Sequence, residues 1–359
     1  MRRGRRSGLF VFVAVHSTAR GPALGGCRMW AYDDSRLAMR DALRLSRAMT
    51  FKNAVAGLPL GGGKGVIMLP PEREVSAERR RDALRDFGDA VDTLGGRYAT
   101  AEDVGTSARD MNVIAEQTSH VAGLSQSKGG SGDPSPWTAL GVHVAIEVSV
   151  AEALGVTSLR DRSVAVIGLG NVGGRLAARL ARAGAKLVVA DVDERKRAIA
   201  DKLGARWTTP EQAMTADVDV VAPCALGGIL DDETVPELRC AVVAGAANNQ
   251  LADDLIANLL HQRGILWAPD FVANAGGIVN ISVELEPEGY DARRARAKVR
   301  QIGDTLREVY ANSRAIGATP LTAAMELARQ RLTVAQEPPR RAARARAASP
   351  RARAARRSR

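Results

Sequence analysis

Two spacings of apolar residues divide the first part of the chain into strands and helices. Residues 9 to 15 predict a strand, and residues 33 to 57 carry apolar side chains three and four positions apart, the spacing of an amphipathic helix. A second helix is predicted over residues 77 to 95. The segment RYATAEDVGTS then predicts a strand that ends in a polar turn. The first part of the chain therefore mixes helices with strands.

The second part of the chain carries four short apolar runs separated by helical segments. They are VAVIG, DVDVVAPCA, CAVVAGAAN and GILWAPDFVAN. A continuous apolar run is typical of a parallel strand that is buried on both faces. Strands that alternate with helices indicate a doubly wound domain. The predicted fold class is α/β, with an N-terminal α/β domain and a C-terminal doubly wound, Rossmann-type domain.

A stretch rich in glycine, serine and proline, SKGGSGDPSPWTA, separates the two parts and marks a hinge or a domain boundary. A long helix is predicted to follow it, roughly from Leu140 to Leu154. We place the first domain at residues 9–137 and the second at residues 138–318. Residues 319–336 are expected to form a C-terminal helix that packs back on the first domain, before a tail at 337–359.

The formal net charge of +11 lies at the two ends of the chain. Residues 338 to 359 contain nine arginines and no acidic residue, and residues 1 to 6 contain four more arginines, so the rest of the chain is close to neutral. The low-complexity tail has no apolar face and is expected to be disordered. Such a tail either contacts nucleic acid non-specifically through phosphates or is a solvated segment without a binding role. The second interpretation is favoured.

The cysteines indicate a reducing compartment, and the histidines indicate a protein without a metal site. The three cysteines, Cys27, Cys224 and Cys240, are far apart and show no CxxC spacing, which favours the cytoplasm. The four histidines lack ligand spacing, so no metal is expected. No apolar run is long enough to span a bilayer. The basic start of the chain precedes an apolar segment too short for a signal peptide, which favours a core strand there.

The glycine pattern G-x-G-x-x-G occupies positions 168 to 173, between the apolar run VAVIG and an alanine-rich helix, where it predicts a dinucleotide-binding turn. Gly168 permits the tight turn, Gly170 lets the backbone approach a pyrophosphate, and Gly173 lets helix and strand pack closely. Asp191 follows the next strand, where a carboxylate accepts from the adenosine ribose and favours NAD over NADP; Asp193 is the alternative. The predicted cofactor contacts are Gly168, Leu169, Gly170, Asn171, Val172, Gly173 and Asp191.

A second glycine-rich segment, LPLGGGKG at residues 58 to 65, suggests a phosphate loop but does not match one. The phosphate-loop motif needs Ser or Thr after its lysine, and Gly65 stands there. The segment also runs into VIML, which predicts a strand and not a helix that could offer its N-terminus to an anion. Its glycines are expected to form a loop that clears space for a substrate at Lys64.

Two lysines and one aspartate are the candidate groups for chemistry. Lys52 and Lys64 both lie among small and apolar residues, where a solvated surface charge is poorly accommodated. They are expected to frame one corner between a loop and a strand, and Asp103 ends a later strand. In one cleft the three groups would shift one another's pKa values, as acid/base catalysis requires.

These residues belong to seven longer motifs that follow one another along the chain. The motifs are GPALGGCRMW, DALRLSRAMTFKNAVAGLPLGGGKGVI, TAEDVGTSARDM, GGSGDPSPWTALGV, APCALGG, AGAANNQL and APDFVANAGG. In this order they resemble the amino-acid dehydrogenases of the leucine, valine and phenylalanine type, over about residues 11 to 336. The resemblance implies an N-terminally short substrate domain, an NAD-binding domain and a cleft between them. It also implies reversible NAD-dependent oxidative deamination of an L-amino acid to a 2-oxo acid and ammonia, by a homo-oligomer.

The resemblance assigns roles to individual residues. Lys64 would activate the water that attacks the imine carbon, and Asp103 would exchange protons with the substrate amino group. Thr138 and Asn248 would lie near the nicotinamide. Lys52 would pair with the substrate carboxylate, helped by the amide of Asn249. The implied substrate contacts are Lys52, Asn249, Leu24, Gly25, Met49, Ala101, Ile278 and Ile281.

The implied pocket is apolar and carries no cation for a glutamate side chain. Leu24 and the GSGDPSP stretch resemble those of the leucine enzymes, so leucine is the favoured substrate. Valine and isoleucine stay possible, because one methylene in an apolar pocket is worth only about 1–3 kcal/mol. A phenylalanine dehydrogenase of the same family is one alternative. A non-catalytic Rossmann protein that binds nucleic acid through its basic tail is the alternative from another class, and the two lysines with Asp103 argue against it.

Overall fold

The computed structural model of the chain describes residues 1–71 and 75–336, so the prediction of a disordered tail at 337–359 lies outside the described residues. The first domain alternates short strands with three helices. In chain order these elements are β1 (Arg2–Arg3), β2 (Phe10–Ser17), β3 (Ala23–Ala31), α1 (Ser35–Val55), β4 (Gly61–Leu69), α2 (Ala77–Asp92), β5 (Tyr98–Glu102) and α3 (Ala108–Ile114).

The five strands form one mixed sheet in the order β1-β2-β4-β3-β5. Strand β2 runs antiparallel to β1 and β4, whereas β3 is parallel to both β4 and β5. The predicted helices α1 and α2 and the predicted strands β2 and β5 are confirmed. Strands β1 and β3 were not predicted. The glycines of LPLGGGKG were expected in a loop, which is wrong, because β4 begins at Gly61 and runs through all of them.

The second domain is larger and mainly helical around a parallel sheet. Its elements are α4 (Ser135–Leu154), β6 (Ser163–Ile167), α5 (Gly173–Arg182), β7 (Lys186–Ala190), α6 (Arg197–Leu203), β8 (Arg206–Thr208), α7 (Pro210–Met214), β9 (Val220–Pro223), α8 (Thr234–Glu237), β10 (Val242–Val243), α9 (Ile256–Gln262), β11 (Leu266–Trp267), α10 (Asp270–Ala273), α11 (Gly276–Glu284), α12 (Ala292–Arg300), α13 (Ile302–Ile316) and α14 (Pro320–Gln336). Two single-turn 3₁₀ helices cover Gln126–Lys128 and Glu194–Lys196.

The six strands of the second domain are all parallel and follow the order β11-β10-β9-β6-β7-β8. This order reverses direction at β6, which is the pattern of a doubly wound sheet with a ligand crevice at the carboxyl ends of its strands. All four predicted apolar runs form strands of this sheet. Strand β8, which lies beyond β7 at the edge of the sheet, was not predicted because its three residues carry too short a pattern.

The helix after the glycine- and proline-rich stretch begins at Ser135, five residues earlier than predicted from the apolar pattern. The boundary placed between residues 137 and 138 therefore falls in its first turn. Helix α4 is also apolar enough by length and composition to cross a membrane, contrary to the sequence-based expectation. More than half of it is buried, and it packs against α5, α11 and α13 as the central helix of the domain.

The last helix, α14, lies along α1 of the first domain and along α13. Arg331 on α14 donates to the carbonyl of Val55, the last residue of α1, and pairs with Glu308 at 2.8 Å. In return, Arg20 of the first domain donates from Nη1 to the carbonyl of Arg331 at 2.7 Å and from Nε to the carbonyl of Leu58 at 2.8 Å. The bond to Val55 satisfies a carbonyl at the C-terminal end of α1, which has no partner within the helix, and the bonds of Arg20 connect the segment after α1 to α14.

Candidate active site

Lys64 lies in the middle of β4, opposite Ala14 of β2, and is only 3% exposed. The neighbouring glycines leave room for protein groups and not for a substrate. A Cβ at Gly62 would collide with Thr50 of α1, and a Cβ at Gly63 would lie 2.5 Å from the ring of Tyr98. The expectation that these glycines clear space for a substrate is therefore wrong: they let a helix and an aromatic ring pack directly on the strand.

Asp103 follows β5 and meets Lys64 across β3. The Nζ atom of Lys64 lies 2.9 Å from Oδ2 of Asp103, and Nε of Arg28 donates to the same oxygen at 3.0 Å. Gly26 on β3 makes this approach possible, because a Cβ there would lie 2.7 Å from Cβ of Asp103. The backbone of Asp103 is held as well, since its N–H donates to the hydroxyl of Thr106 at 2.9 Å.

The pKa values of both members of this pair are lowered, that of Lys64 by burial and that of Asp103 by neighbouring cations. Burial lowers the pKa of Lys64, and the attraction of Asp103 only partly offsets it. Burial alone would raise the pKa of Asp103, but the cations of Lys64 and Arg28 outweigh it and lower the pKa below the ordinary value. A carboxylate that stays ionised therefore sits beside an amine that loses its proton more readily than a solvated lysine.

Lys52 lies near the C-terminal end of α1 and is partly buried. The next residue, Asn53, is fully buried and donates to the carbonyls of Leu24 at 3.3 Å and Gly61 at 2.6 Å, which fixes α1 against β3 and β4. The corner between a loop and a strand that we expected around the two lysines is therefore wrong. They project instead from a helix and from a strand that packs on it.

The amide that bonds Lys52 is that of Asn274, which the sequence analysis did not single out. Nζ of Lys52 donates to Oδ1 of Asn274 at 2.6 Å, and Nδ2 of Asn274 donates to Oδ1 of Asn248 at 2.9 Å. Asn249, expected beside Lys52, is exposed and adopts a left-handed φ of 51°. Burial lowers the pKa of Lys52 to about 8, partly offset by Asp270 and reinforced by Lys64.

Thr138 lies in the first turn of α4, at the junction with α11. Its hydroxyl donates to the carbonyl of Pro134 at 3.2 Å, and a Cβ at Gly277 would lie 2.7 Å from it. The two glycines that begin α11 thus allow that helix to approach Thr138 closely. This arrangement places Thr138 beside the segment that carries Asn274.

The predicted pocket residues come from four separate elements. Leu24, Ala101 and Ile281 are buried in one continuous apolar cluster, and the partly buried Ile278 packs against it. Gly25 lies within β3, and its carbonyl accepts from the hydroxyl of Tyr98 at 2.6 Å. Met49 is partly buried on α1, one turn before Lys52.

A second residue missed from the sequence, Glu284, ties the pocket helix to the hinge stretch and to the segment before it. It ends α11, the helix of Ile278 and Ile281. Its carboxylate accepts three backbone N–H bonds, from Gly123 at 2.9 Å, Leu124 at 3.2 Å and Ser131 at 2.8 Å. We refer to this arrangement as the Glu284 clamp.

The glycine turn fits a dinucleotide. A Cβ at Gly173 would collide with the carbonyl of Gly168, so the turn and the start of α5 are closed on the protein side. A Cβ at Gly170 would meet nothing within 4 Å, so the opposite side is open. Leu169 is buried, Asn171 is exposed and Val172 is partly buried at the start of α5. The open side at Gly170, next to a helix N-terminus, is where a pyrophosphate is bound in such turns.

Asp191 directly follows β7, as expected for the residue that meets the adenosine ribose. Its carboxylate accepts from the backbone N–H groups of Leu169 at 2.6 Å and Asp193 at 3.0 Å, and from Nζ of Lys196 at 2.8 Å. Burial would raise the pKa of Asp191, but Lys196 and the two N–H groups lower it. The alternative, Asp193, pairs with Arg195 at 2.8 Å.

Known proteins with the same two-domain architecture are similar to this chain in sequence. Residues 1–120 match the dimerisation domain of the Glu/Leu/Phe/Val dehydrogenases, and residues 189–338 match the Glutamate/Leucine/Phenylalanine/Valine dehydrogenase domain. The chain is 44% identical to leucine dehydrogenase of Geobacillus stearothermophilus, covering 91% of this chain and 88% of the relative. The chain belongs to the Glu/Leu/Phe/Val dehydrogenase family. The family and the fold class predicted from the sequence are thereby confirmed.

Further similarities agree with this membership. Valine dehydrogenase of Streptomyces virginiae is 44% identical over 92% of both chains. The crystal structure of L-tryptophan dehydrogenase from Nostoc punctiforme has a TM-score of 0.80 at 38% identity, covering 92% of this chain and 94% of that one. Residues 145–227 also match the NAD-binding domain of the D-isomer specific 2-hydroxyacid dehydrogenases. The protein is thus an amino-acid dehydrogenase that uses NAD.

Proposed function

We propose that this enzyme catalyses the reversible, NAD-dependent oxidative deamination of a branched-chain L-amino acid, with leucine favoured. The observation that carries the proposal is the ion pair of the buried Lys64 and the partly buried Asp103, 2.9 Å apart, beside Lys52. A buried amine of lowered pKa next to a carboxylate held ionised is the combination that general acid–base chemistry needs. A protein that only bound nucleic acid would have no use for it.

Lys52 positions the substrate in this scheme. Its ammonium group pairs with the substrate carboxylate, while Asn274 of the second domain accepts a hydrogen bond from the lysine and donates one to Asn248. Asn249 follows Asn248 in the same loop, and its amide would help Lys52 to bind the substrate carboxylate. Held in this way, the substrate places its amino group toward Asp103 and its side chain toward Leu24, Ala101, Ile278 and Ile281.

The chemical steps then divide between two residues. Asp103 takes a proton from the substrate ammonium group, which frees the nitrogen lone pair. Bound at the glycine turn, with Thr138 and Asn248 near its nicotinamide, NAD would supply the acceptor for the hydride that leaves Cα. Lys64 removes a proton from the water that attacks the resulting imine carbon. After releasing that proton to solvent, Lys64 takes the hydroxyl proton of the carbinolamine while Asp103 returns its own proton to the nitrogen. The carbonyl forms as the C–N bond breaks, and ammonia and the 2-oxo acid leave.

The substrate preference rests on the apolar lining. Leu24 and Ala101 are fully buried, and Ile278 and Ile281 are branched, which suits an aliphatic side chain. Leucine and valine dehydrogenases are equally similar in sequence at 44% identity, so leucine, valine and isoleucine all stay within the proposal. A phenylalanine substrate is the alternative within the family.

The direct test measures NADH absorbance when the full-length protein and NAD are mixed with leucine, valine, isoleucine or phenylalanine at alkaline pH. We expect turnover of the three aliphatic amino acids with the highest kcat/KM for leucine. Glutamate serves as the matched control, since its second carboxylate has no cationic partner in the proposed pocket. Absence of turnover with all aliphatic and aromatic L-amino acids would overturn the proposed function.

We also propose that the enzyme is a cytoplasmic homo-oligomer. The match of residues 1–120 to a dimerisation domain supports assembly. The same part of the chain exposes large apolar side chains, among them Trp30 at 53% and Leu43 at 58%. All three cysteines are free, as is usual for proteins of a reducing compartment such as the cytoplasm. Light scattering coupled to size-exclusion chromatography would test assembly, and a mass near 38.0 kDa would contradict it.

A further inference from the structure

We propose that Arg28 is a positioning residue of this active site, which holds the Asp103 carboxylate and competes with Lys64 for the same carboxylate oxygen. The inference rests on the proposed function, in which Asp103 and Lys64 transfer protons. The sequence motifs gave Arg28 no role. It lies on β3 between the two strands that carry the pair, β4 on one side and the end of β5 on the other.

The contact geometry singles out one oxygen atom. Oδ2 of Asp103 accepts from Nε of Arg28 at 3.0 Å and lies 2.9 Å from Nζ of Lys64. The side chain of Arg28 is only 21% exposed, so solvent screens this contact less than it would a surface ion pair. With both cations on Oδ2, the other oxygen of Asp103 is left for a substrate amino group.

The guanidinium group is itself anchored from α1. Nη1 of Arg28 donates to Oδ2 of Asp41 at 2.9 Å, and Asp41 also accepts from the hydroxyl of Tyr32 at 2.7 Å and from Arg44 at 2.8 Å. Because the guanidinium is planar and its donors point in fixed directions, bonds at Nη1 and Nε determine its orientation. Helix α1, which carries Lys52, thereby also orients the group that holds Asp103.

The charge of Arg28 acts on both members of the catalytic pair. It helps to lower the pKa of Asp103 and, by repulsion, adds to the burial that lowers the pKa of Lys64. Without Arg28, its repulsion of Lys64 would be lost, and the attraction of Asp103 would stabilise the protonated form of Lys64 more strongly. The other titratable or charged groups that face the pair are Lys52 on α1, Cys27 on β3 and Tyr98 on β5, with Arg80, Asp110 and Asp270 farther away.

The test compares Arg28→Gln, Arg28→Lys and the matched control Arg44→Gln. Arg44 is 57% exposed and pairs with the opposite oxygen of Asp41, so its loss leaves the bond from Arg28 to Asp103 in place. For Arg28→Gln we expect kcat/KM to fall about 10²-fold, the scale expected when reacting groups are misplaced. The acid limb of its pH profile should also move to higher pH. Arg28→Lys should return that limb toward the wild-type position with partial recovery of kcat/KM, and Arg44→Gln should leave it unchanged.

A second measurement does not depend on turnover. The rate at which Lys64 reacts with trinitrobenzenesulfonate, followed by peptide mass spectrometry across pH, reports the titration of its amine. In Arg28→Gln this titration should move to higher pH. If Arg28→Gln fails to fold, Arg28→Met, which keeps an extended side chain and removes the charge, should move it in the same direction. An unchanged Lys64 titration and an unmoved acid limb would overturn the role of Arg28, whereas an inactive wild-type enzyme would overturn the proposed function.

Discussion

Nζ of Lys52 lies 2.6 Å from Oδ1 of Asn274, although the two residues are 222 positions apart. The bond joins α1 of the first domain to the turn between α10 and α11 of the second. It therefore crosses the cleft at the point where the proposed substrate carboxylate binds. The orientation of that lysine depends on both domains together.

Replacing Asn274 should weaken substrate binding more than it slows the chemical step. In Asn274→Ala, Lys52 loses its only hydrogen-bond partner identified in the described part of the chain, so its ammonium group is less well placed for the carboxylate. We expect KM for leucine to rise about tenfold, the cost of one hydrogen bond to a charged group, with kcat changed less. Asn274→Asp should raise KM further, since a carboxylate there competes with the substrate. Steady-state kinetics at pH 8 would decide this, and an unchanged KM in both variants would contradict it.

Lys64→Ala should slow the chemical step strongly and spare the cofactor site. Removal of a general base typically lowers the rate about 10²–10⁴-fold. The glycine turn lies in the other domain, so the dissociation constant of NADH, measured by fluorescence, should stay within about twofold of the wild-type value. Turnover close to the wild-type rate in this variant would exclude Lys64 as the base.

Substrate binding should weaken as pH rises through the pKa of Lys52, about 8 in the free enzyme. The sign follows from charge: below that pH the amine is protonated and attracts the carboxylate, and above it the attraction is lost. The 2-oxo acid should be used for this measurement, because its carboxylate is the only group on it that titrates. Lys52→Arg, with a guanidinium that stays charged above pH 12, should flatten the alkaline limb of kcat/KM. A limb that persists in that variant would belong to another group.

The Glu284 clamp should contribute to stability. Three backbone N–H groups lose their charged acceptor in Glu284→Ala, and two of the donors, Gly123 and Ser131, are buried. The loss should lower the free energy of unfolding by about 1–3 kcal/mol per buried donor left unsatisfied. Glu284→Gln keeps an acceptor oxygen and should be milder. Urea unfolding of the wild type, Glu284→Gln and Glu284→Ala should give free energies of unfolding that decrease in that order. Equal stability of all three would show that the clamp does not stabilise the fold.

The sequence identified the chemistry better than it identified the geometry around it. Lys52 and Lys64 stood out because charged groups in apolar surroundings are unusual, and Asp103 stood out because it ends a predicted strand. The glycine turn stood out because its strand and helix flank it locally. Asn274 and Glu284 gave no such signal, since an amide or a carboxylate in a helix-rich segment is ordinary until the fold brings a distant partner to it. Arg28 lies within a motif, but its contacts with Asp41 and Asp103 depend on the order of strands in the sheet.

The errors in secondary structure have a common cause. Glycine is normally unfavourable inside a strand, so a run of glycines predicted a loop at β4, and GPALGGCRMW was not recognised as β3. In both strands the glycines are required by tertiary contacts, such as those of Gly62 with α1 and Gly63 with Tyr98. No local pattern carries that information.

The crowding around β4 also bears on how this enzyme can be changed. Because side chains are sterically excluded at Gly62, Gly63 and Gly65, almost any substitution in that strand would push α1, Tyr98 or Phe87 away and displace Lys64 with them. Libraries aimed at new substrates should therefore leave residues 61–65 constant. Variation belongs at Ile278 and Met49, which are only partly buried and on separate helices. The same strand that supplies the proposed base is thus the part of the pocket least open to engineering.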